Sequence, residues 1–100
     1  MTAEDARRLA LALPETFEQD HHGRPSFRVA GIFATIWDER TMNVMVDEPG
    51  IRTAVAEYPN WCSQRYWGKR LAAVAVDLPR APERELRELL TDAWEERRGD

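Results

Sequence analysis

The sequence predicts an α+β single-domain sandwich in which three helices cover an antiparallel sheet of about five strands. A chain of 100 residues is long enough for one core and too short for two, so residues 1–100 form one domain. Apolar residues recur at helical spacing in three segments, and short pieces rich in β-branched and aromatic residues lie between the first two. The order helix, strand meander, helix, strand, helix favours helices on one side of the sheet.

The first helix is predicted over about residues 3 to 13. Thr2 and Asp5 have the spacing of a capping box, in which each side chain accepts a hydrogen bond from the backbone amide of the other residue. Apolar residues then recur at helical spacing until Pro14, whose preceding residue is pushed out of helical geometry. This apolar stripe consists of Ala6, Leu9, Ala10 and Leu13.

The strand meander is predicted in four pieces: TFEQDHH, SFRVAG, IFATIWD and TMNVMVD. Gly23, Pro25, Gly31 and the turn at 38–40 separate these pieces. Successive side chains of a strand point to opposite faces, so Phe33, Thr35 and Trp37 share one face of the third piece and Ile32, Ala34 and Ile36 share the other. One of these faces must be covered by helices.

The remaining elements follow from proline positions and apolar stripes. Pro49 suits the first turn of a second helix that Asp47 or Glu48 caps and that ends before Pro59. The run LAAVAVDL predicts a strand, and Pro82 begins a third helix. The stripe of the second helix is Ile51, Ala54, Val55 and Tyr58, and that of the third is Leu86, Leu89, Leu90, Ala93 and Trp94.

Composition limits the cellular setting and the cofactors. Cys62 is the only cysteine, which excludes an intramolecular disulfide and cysteine-based metal frameworks and suits a reducing compartment. The first residues form neither a signal peptide nor a membrane span. We therefore expect a soluble cytoplasmic protein with no membrane contact and no cofactor.

Several segments together carry a family resemblance. These are LALPETFEQDHHGRPSFRVAGIFATI, then MNVMVD before a helix that ends in YP, and VAVDL followed by ELRELLTDAW. Over nearly the whole chain the sequence resembles the MmcQ/YjbR family of small bacterial proteins. The resemblance implies a double-wing, DNA-binding-like fold and, by the family's common label, DNA binding. Its motifs are mostly structural, and such motifs identify a fold more securely than a chemistry.

The stretch WCSQRYWGKR, residues 61 to 70, combines aromatic and basic side chains and contains no acid. In one interpretation its basic residues contact phosphates while Trp61 or Trp67 stacks on a base or sugar. In the other, Trp61, Tyr66 and Trp67 anchor an irregular loop onto the core, since large aromatic area is usually buried, and the basic groups balance nearby carboxylates. We favour the second interpretation for the aromatic residues and leave the basic residues open.

A basic patch could extend beyond this stretch, with Arg28 on a strand and Arg40 at a hairpin tip. The net charge of −4 repels a polyanion at long range, so contact with double-stranded DNA must be local and weak. Three phosphate contacts would give a salt slope of about −3. The residues predicted to bind nucleic acid are Arg24, Arg28, Arg40, Arg65, Trp67, Lys69 and Arg70.

Other kinds of site are less well supported. His21 and His22 are neighbours on a strand and would point to opposite faces, so we predict no metal site around them. The chain has no glycine-rich phosphate loop and no nucleophile elbow, and a lone Cys62 is more often a packed hydrophobe than a nucleophile. We therefore predict a non-catalytic DNA-binding or regulatory module. The alternative is a module that binds a small molecule, a peptide or a second copy of itself and has no affinity for nucleic acid.

Overall fold

The computed structural model describes residues 1–99 and contains six strands, three α-helices and one 3₁₀ helix. The predicted α+β class and the helix-meander-helix-strand-helix order are confirmed. The elements in chain order are α1 (Ala3–Leu11), β1 (Phe17–His21), β2 (Arg24–Arg28), β3 (Ile32–Asp38), β4 (Thr41–Val44), α2 (Glu48–Glu57), β5 (Cys62–Trp67), β6 (Arg70–Asp77), the 3₁₀ helix Leu78–Arg80 and α3 (Glu83–Arg98).

All six strands belong to one antiparallel sheet with the order β1-β2-β3-β4-β6-β5. The first four strands form a meander. The chain then passes through α2 to the far edge, runs along β5 and returns as β6 to pair with β4. The strand β5 is the one beyond the expected five, because residues 61 to 70 form most of a β-hairpin and not an irregular loop. Its turn is at Gly68 and Lys69, where Gly68 has a φ of 63°.

The helices begin where the sequence places their caps. The capping box of α1 is present, with Asp5 N donating to Thr2 Oγ1 at 3.1 Å and Thr2 N donating to Asp5 Oδ2 at 3.0 Å. Asp47 caps α2 through Gly50 N at 2.9 Å. Gly99 ends α3 in the left-handed conformation, with a φ of 77°.

The apolar core lies between the helices and one face of the sheet. Cross-strand register places Phe27, Ala34, Val44 and Val74 on this face, which we call the covered face. Helical side chains pack against them to form the core. The most deeply buried large side chains of the core are Phe27, Phe33, Met42, Val44, Ile51, Val74, Val76, Leu78, Leu86 and Leu90.

A bulge in β3 changes the predicted alternation of side chains. Phe27 pairs with Ala34, whereas Arg28 pairs with Ile32, so Phe33 is an extra residue between the two pairs. Phe33 is fully buried in the core and does not join Thr35 and Trp37 on the opposite face. The prediction that Phe33, Thr35 and Trp37 share one face is therefore wrong for Phe33. The prediction for the other face is wrong for Ile32, which lies beside Thr35 and Trp37 and does not join Ala34 and Ile36 in the core. Among the described residues, no helix is long and apolar enough to cross a bilayer.

Candidate nucleic-acid interface

The other face of the sheet, which we call the open face, has a floor of small and polar side chains. Strand pairing aligns one residue from each strand across the sheet. Three members of this row are buried although they lie on the face opposite the helices: Ser26, Thr35 and Asn43. From edge to edge the row is Gln19, Ser26, Thr35, Asn43, Ala75 and Ser63.

Long side chains rise around this floor and enclose a cavity of about 440 Å³, which we call the basic groove. Among residues 1–99, its lining has three arginines, two histidines and two tryptophans and no carboxylate. Of the lining residues in the described part of the chain, only Arg97 comes from a helix, and its Cδ lies 3.1 Å from the position that a Cβ on Gly31 would take, so the glycine leaves room for it. The groove is lined by His21, His22, Arg24, Ile32, Thr35, Trp37, Asn43, Met45, Trp67, Arg70 and Arg97.

Trp37 is held by two arginines of the open face. The guanidinium carbon of Arg24 lies 3.9 Å from the centre of the indole ring, and that of Arg65 lies 5.1 Å from it. Arg24 Nε also donates to the Trp37 carbonyl at 2.9 Å. Arginine therefore already covers this tryptophan.

Asn43 is the most deeply buried polar group that lines the groove, with 1% of its surface exposed. Its Oδ1 accepts from Arg65 Nε at 3.2 Å, which fixes the orientation of the amide. Its Nδ2 has no hydrogen-bond partner in the described part of the chain. A buried donor without a partner costs roughly 1–3 kcal/mol, so this position is not optimised for folding alone.

The hairpin turn between β1 and β2 adjoins the open face. His22 and Gly23 join β1 to β2 with φ values of 54° and 84°, a turn with both central residues in the left-handed region. Asp20 Oδ2 accepts from Gly23 N at 3.2 Å. The His21 and His22 rings meet edge to face at 4.4 Å, so they contact each other and do not diverge as expected from strand alternation.

The structure brings some of the predicted site residues together and separates others. Arg24, Trp67 and Arg70 line the basic groove, and Arg65 contacts the floor through Asn43. Arg28 is half-buried beside the floor, with Nε donating to Ser26 Oγ at 3.1 Å. Lys69 and Arg40 are exposed in hairpin turns and do not line the groove.

The aromatic residues of 61–70 divide between the two interpretations. Trp61 is buried, with 6% of its surface exposed, and stacks on Tyr58 at 4.9 Å between ring centres. Tyr66 and Trp67 are 48% and 44% exposed. The expectation that all three anchor onto the core therefore holds for Trp61 alone.

Within residues 1–99, the identified ion pairs lie on the helices, at the junction of β6 with the 3₁₀ helix and at the edge of β1. Six arginines from the helices and the 3₁₀ helix lie within 4.0 Å of a carboxylate: Arg7, Arg8, Arg52, Arg80, Arg84 and Arg87. Within residues 1–99, none of the six cations on strands or hairpin turns has such a pair. Those six are Arg24, Arg28, Arg40, Arg65, Lys69 and Arg70.

A second cavity, of about 500 Å³, lies between α2 and α3 and is acidic. We call it the acidic groove; its lining has six carboxylates and no cation. Burial, then repulsion from Glu95 and Glu88, raises the pKa of Asp92. Burial likewise raises the pKa of Glu96, although Glu96 Oε1 accepts from Asp47 N at 2.7 Å. The carboxylates of this groove are Glu57, Glu85, Glu88, Asp92, Glu95 and Glu96.

The remaining candidates for chemistry are structural in character. Cys62 is buried in the core, and burial raises the pKa of its thiol to about 12, so it is protonated at neutral pH. Within residues 1–99, no group of three or more histidine, cysteine or acidic side chains is placed to hold a metal ion.

Sequence reasoning did not find several groove residues. The sequence suggests His21 and His22 only as metal ligands, and it places Met45 only in a strand. Asn43 carries a weak signal in the sequence, because it is one polar residue in the run TMNVMV of a central strand. Arg97 carries none, since its arrival at the open face depends on how the end of α3 packs against Gly31.

Comparison with known proteins identifies the family. The family model of YjbR matches residues 11–96, which is most of the chain and includes every strand. A search of curated proteins and a search of solved structures each found no match. The match confirms the family resemblance that the sequence motifs indicate. The chain belongs to the YjbR family.

Proposed function

We propose that this protein is a non-catalytic module that binds nucleic acid through the open face of its sheet. The observation that carries the proposal is the distribution of ion pairs. Six arginines of the helices and the 3₁₀ helix have a carboxylate within 4.0 Å, whereas Arg24, Arg65 and Arg70 have none that close in residues 1–99. Unpaired cations on one face are what a phosphate backbone requires, because phosphate neutralisation supplies most of the affinity for nucleic acid.

The overall negative charge is compatible with this proposal. The acidic groove lies between helices on the covered side, and the basic groove lies on the open face. Charges separated by more than the Debye length of about 8 Å at physiological salt interact weakly, so the local potential decides binding. The acidic side would instead orient the molecule by repelling phosphates from the helices.

The experiment is fluorescence anisotropy of a labelled oligonucleotide titrated with the protein between about 50 and about 200 mM salt. Three phosphate contacts predict a slope of log affinity against log salt of roughly −2 to −3. Replacement of Lys69 and Arg70 by glutamate should weaken binding and flatten this slope.

Arg84→Ala is the matched control, because Arg84 is an exposed arginine on α3 outside the basic groove, 3.6 Å from Glu88. We expect it to change affinity less than about 2-fold, as for a surface charge that makes no contact. No binding at low salt, or equal losses for the glutamate variant and Arg84→Ala, would contradict the proposal.

The second candidate function is self-association, and the opposite signs of the two grooves favour it. The basic groove of one molecule could face the acidic groove of the next. Such a contact joins different surfaces, so it would produce rings or open chains and not a two-fold symmetric dimer. Sedimentation velocity at low salt tests this alternative: mass should increase with protein concentration, and a monomer at every concentration would reject it.

A further inference from the structure

The basic groove contains features that phosphate binding alone does not explain. Contact with a duplex backbone needs exposed cations and little else. The groove has, in addition, an exposed tryptophan and a buried amide donor without a partner. A ligand that uses all three kinds of group must carry negative charge, a flat ring and a hydrogen-bond acceptor.

Trp67 is the ring that remains open to a ligand. Trp37 is already covered by Arg24 at 3.9 Å, whereas no ring or guanidinium contact to Trp67 occurs in the described part of the chain. Trp67 pairs across the hairpin with Arg70, so a stacking surface and a cation stand together at the end of β5. A base on Trp67 would place its sugar and phosphate near this arginine.

Asn43 is the reason why the ligand must carry a hydrogen-bond acceptor. Because Oδ1 is occupied by Arg65, Nδ2 is the group of this amide that remains without a partner, and it is buried in the floor of the groove. An amide that only donates cannot form the bidentate contact by which asparagine recognises adenine. Asn43 Nδ2 could donate to any base that presents a carbonyl oxygen or a ring nitrogen, so the preference for one base over another should be weak.

These requirements describe a nucleotide whose base is not already stacked and paired. The volume of about 440 Å³ is in the range of small-ligand sites, and a concave site of this size cannot admit the interior of a duplex. Bases of a single strand, in contrast, are free to leave the strand and stack on an aromatic side chain.

We infer that the basic groove holds one nucleotide of a single-stranded nucleic acid, with the base on Trp67, an acceptor of the base at Asn43 Nδ2 and phosphates at Arg24, Arg70 and Arg97. This inference rests on the proposed nucleic-acid function and narrows it to single strands. Trp67 and Asn43 thereby become binding residues beside the basic patch.

The test is anisotropy at low salt with labelled oligothymidine and with a duplex of the same length. The wild-type protein should bind the single strand more tightly than the duplex. Trp67→Ala should lower single-strand affinity roughly 5- to 150-fold, the range of one base stacked on an aromatic ring. Asn43→Leu should lower it roughly 2- to 12-fold, as for one hydrogen bond.

Tyr66→Ala is the matched control for Trp67→Ala. Both residues are exposed aromatics at the end of β5, but Tyr66 does not line the groove. We expect less than about a 2-fold effect on affinity from a surface substitution outside the site. Trp67→Ala and Tyr66→Ala both change exposed residues, so they can be compared with each other even if Asn43→Leu fails to fold.

The outcomes separate this inference from the function on which it rests. Preferential single-strand binding that Trp67→Ala weakens and Tyr66→Ala leaves intact supports both. Duplex binding as tight as single-strand binding, with equal effects of the two variants, overturns the inference and leaves the proposed function standing. Binding to neither oligonucleotide at low salt overturns both.

Discussion

The two faces of the sheet differ in how their polar and charged groups are satisfied. On the covered face, strand residues such as Met42 and Val74 pack into the core, and arginines of the helices outside it are paired with carboxylates. On the open face, Asn43 is buried with an unpaired Nδ2, and the cations of the strands have no carboxylate within 4.0 Å in residues 1–99.

The difference indicates that the residues of the covered face stabilise the fold, whereas several residues of the open face do not. Surface ion pairs contribute about 0–1 kcal/mol each, so their absence from the open face sacrifices little stability. A buried amide N–H donor without a partner, such as Asn43 Nδ2, however, has a definite cost. Departures from the rules of stable packing are frequent at functional sites. In residues 1–99 two buried side-chain polar atoms lack a partner: Asn43 Nδ2 lies on the open face, and Thr16 Oγ1 lies in the segment before β1.

The largest expected effect compares two neighbouring residues of β4. Met42 is fully buried in the core on the covered face, and Asn43 lies on the open face. Met42→Ala should lower the free energy of unfolding by about 2–5 kcal/mol, because it leaves a cavity. Asn43→Leu should change it by less than about 1 kcal/mol, because removal of the unpaired Nδ2 donor offsets loss of the hydrogen bond from Arg65 Nε to Oδ1.

Urea denaturation followed by circular dichroism measures both variants. If Asn43→Leu destabilises the protein as much as Met42→Ala does, then Asn43 is a structural residue and the contrast between the faces is wrong.

A second comparison uses thiol reactivity at the start of β5. Burial raises the pKa of Cys62 to about 12, so a thiol-specific reagent should modify the folded protein at least about 100-fold more slowly than the unfolded chain. Ser63 is exposed and follows Cys62 directly. A Ser63→Cys variant in a Cys62→Ala background should react at the rate of an unfolded thiol, and slow reaction of that variant would show that the open face is covered.

The smallest effect is a pH dependence on the helical side. Because burial and then Glu95 and Glu88 raise the pKa of Asp92, its ionised form is disfavoured in the folded state. The contribution of Asp92 to stability is complete below its ordinary pKa of 3.8 and is lost as pH rises through the higher pKa of the folded state.

Asp92→Asn should therefore stabilise the protein at neutral pH, by less than about 1 kcal/mol because the site is partly exposed. The gain should vanish in strong acid. Glu39→Gln, in the exposed β3–β4 turn, removes the same charge and is the control. Thermal melts across the acid range measure both variants, and an equal gain from Glu39→Gln would assign the effect to net charge alone.

The sequence predicts the helices and the meander well, because caps and apolar stripes are local signals. It does not reveal β5, since CSQRYW is an edge strand with one buried residue, Cys62, and therefore lacks alternating apolar positions. The bulge that buries Phe33 depends on pairing between strands and has no local signature.

The candidate site is only partly predictable for the same reason. Basic and aromatic residues of 61–70 draw attention, and Arg70 and Trp67 do line the groove. The sequence cannot show that Arg24 and Arg65 cover Trp37, or that Arg97 reaches the open face from α3. These contacts bring together residues from β2, β3, β5 and the end of α3.

The four tryptophans allow the most direct test of the claim that the open face binds nucleic acid. Trp37 and Trp67 line the basic groove, whereas Trp61 and Trp94 are buried in the core, Trp94 with its Nε1 donating to the Pro14 carbonyl at 3.0 Å. We would follow the four indole N–H signals by heteronuclear NMR during titration with oligothymidine. The account predicts that the signals of Trp37 and Trp67 shift together while those of Trp61 and Trp94 remain fixed. Shifts confined to Trp61 and Trp94, or no shift at low salt, would contradict it.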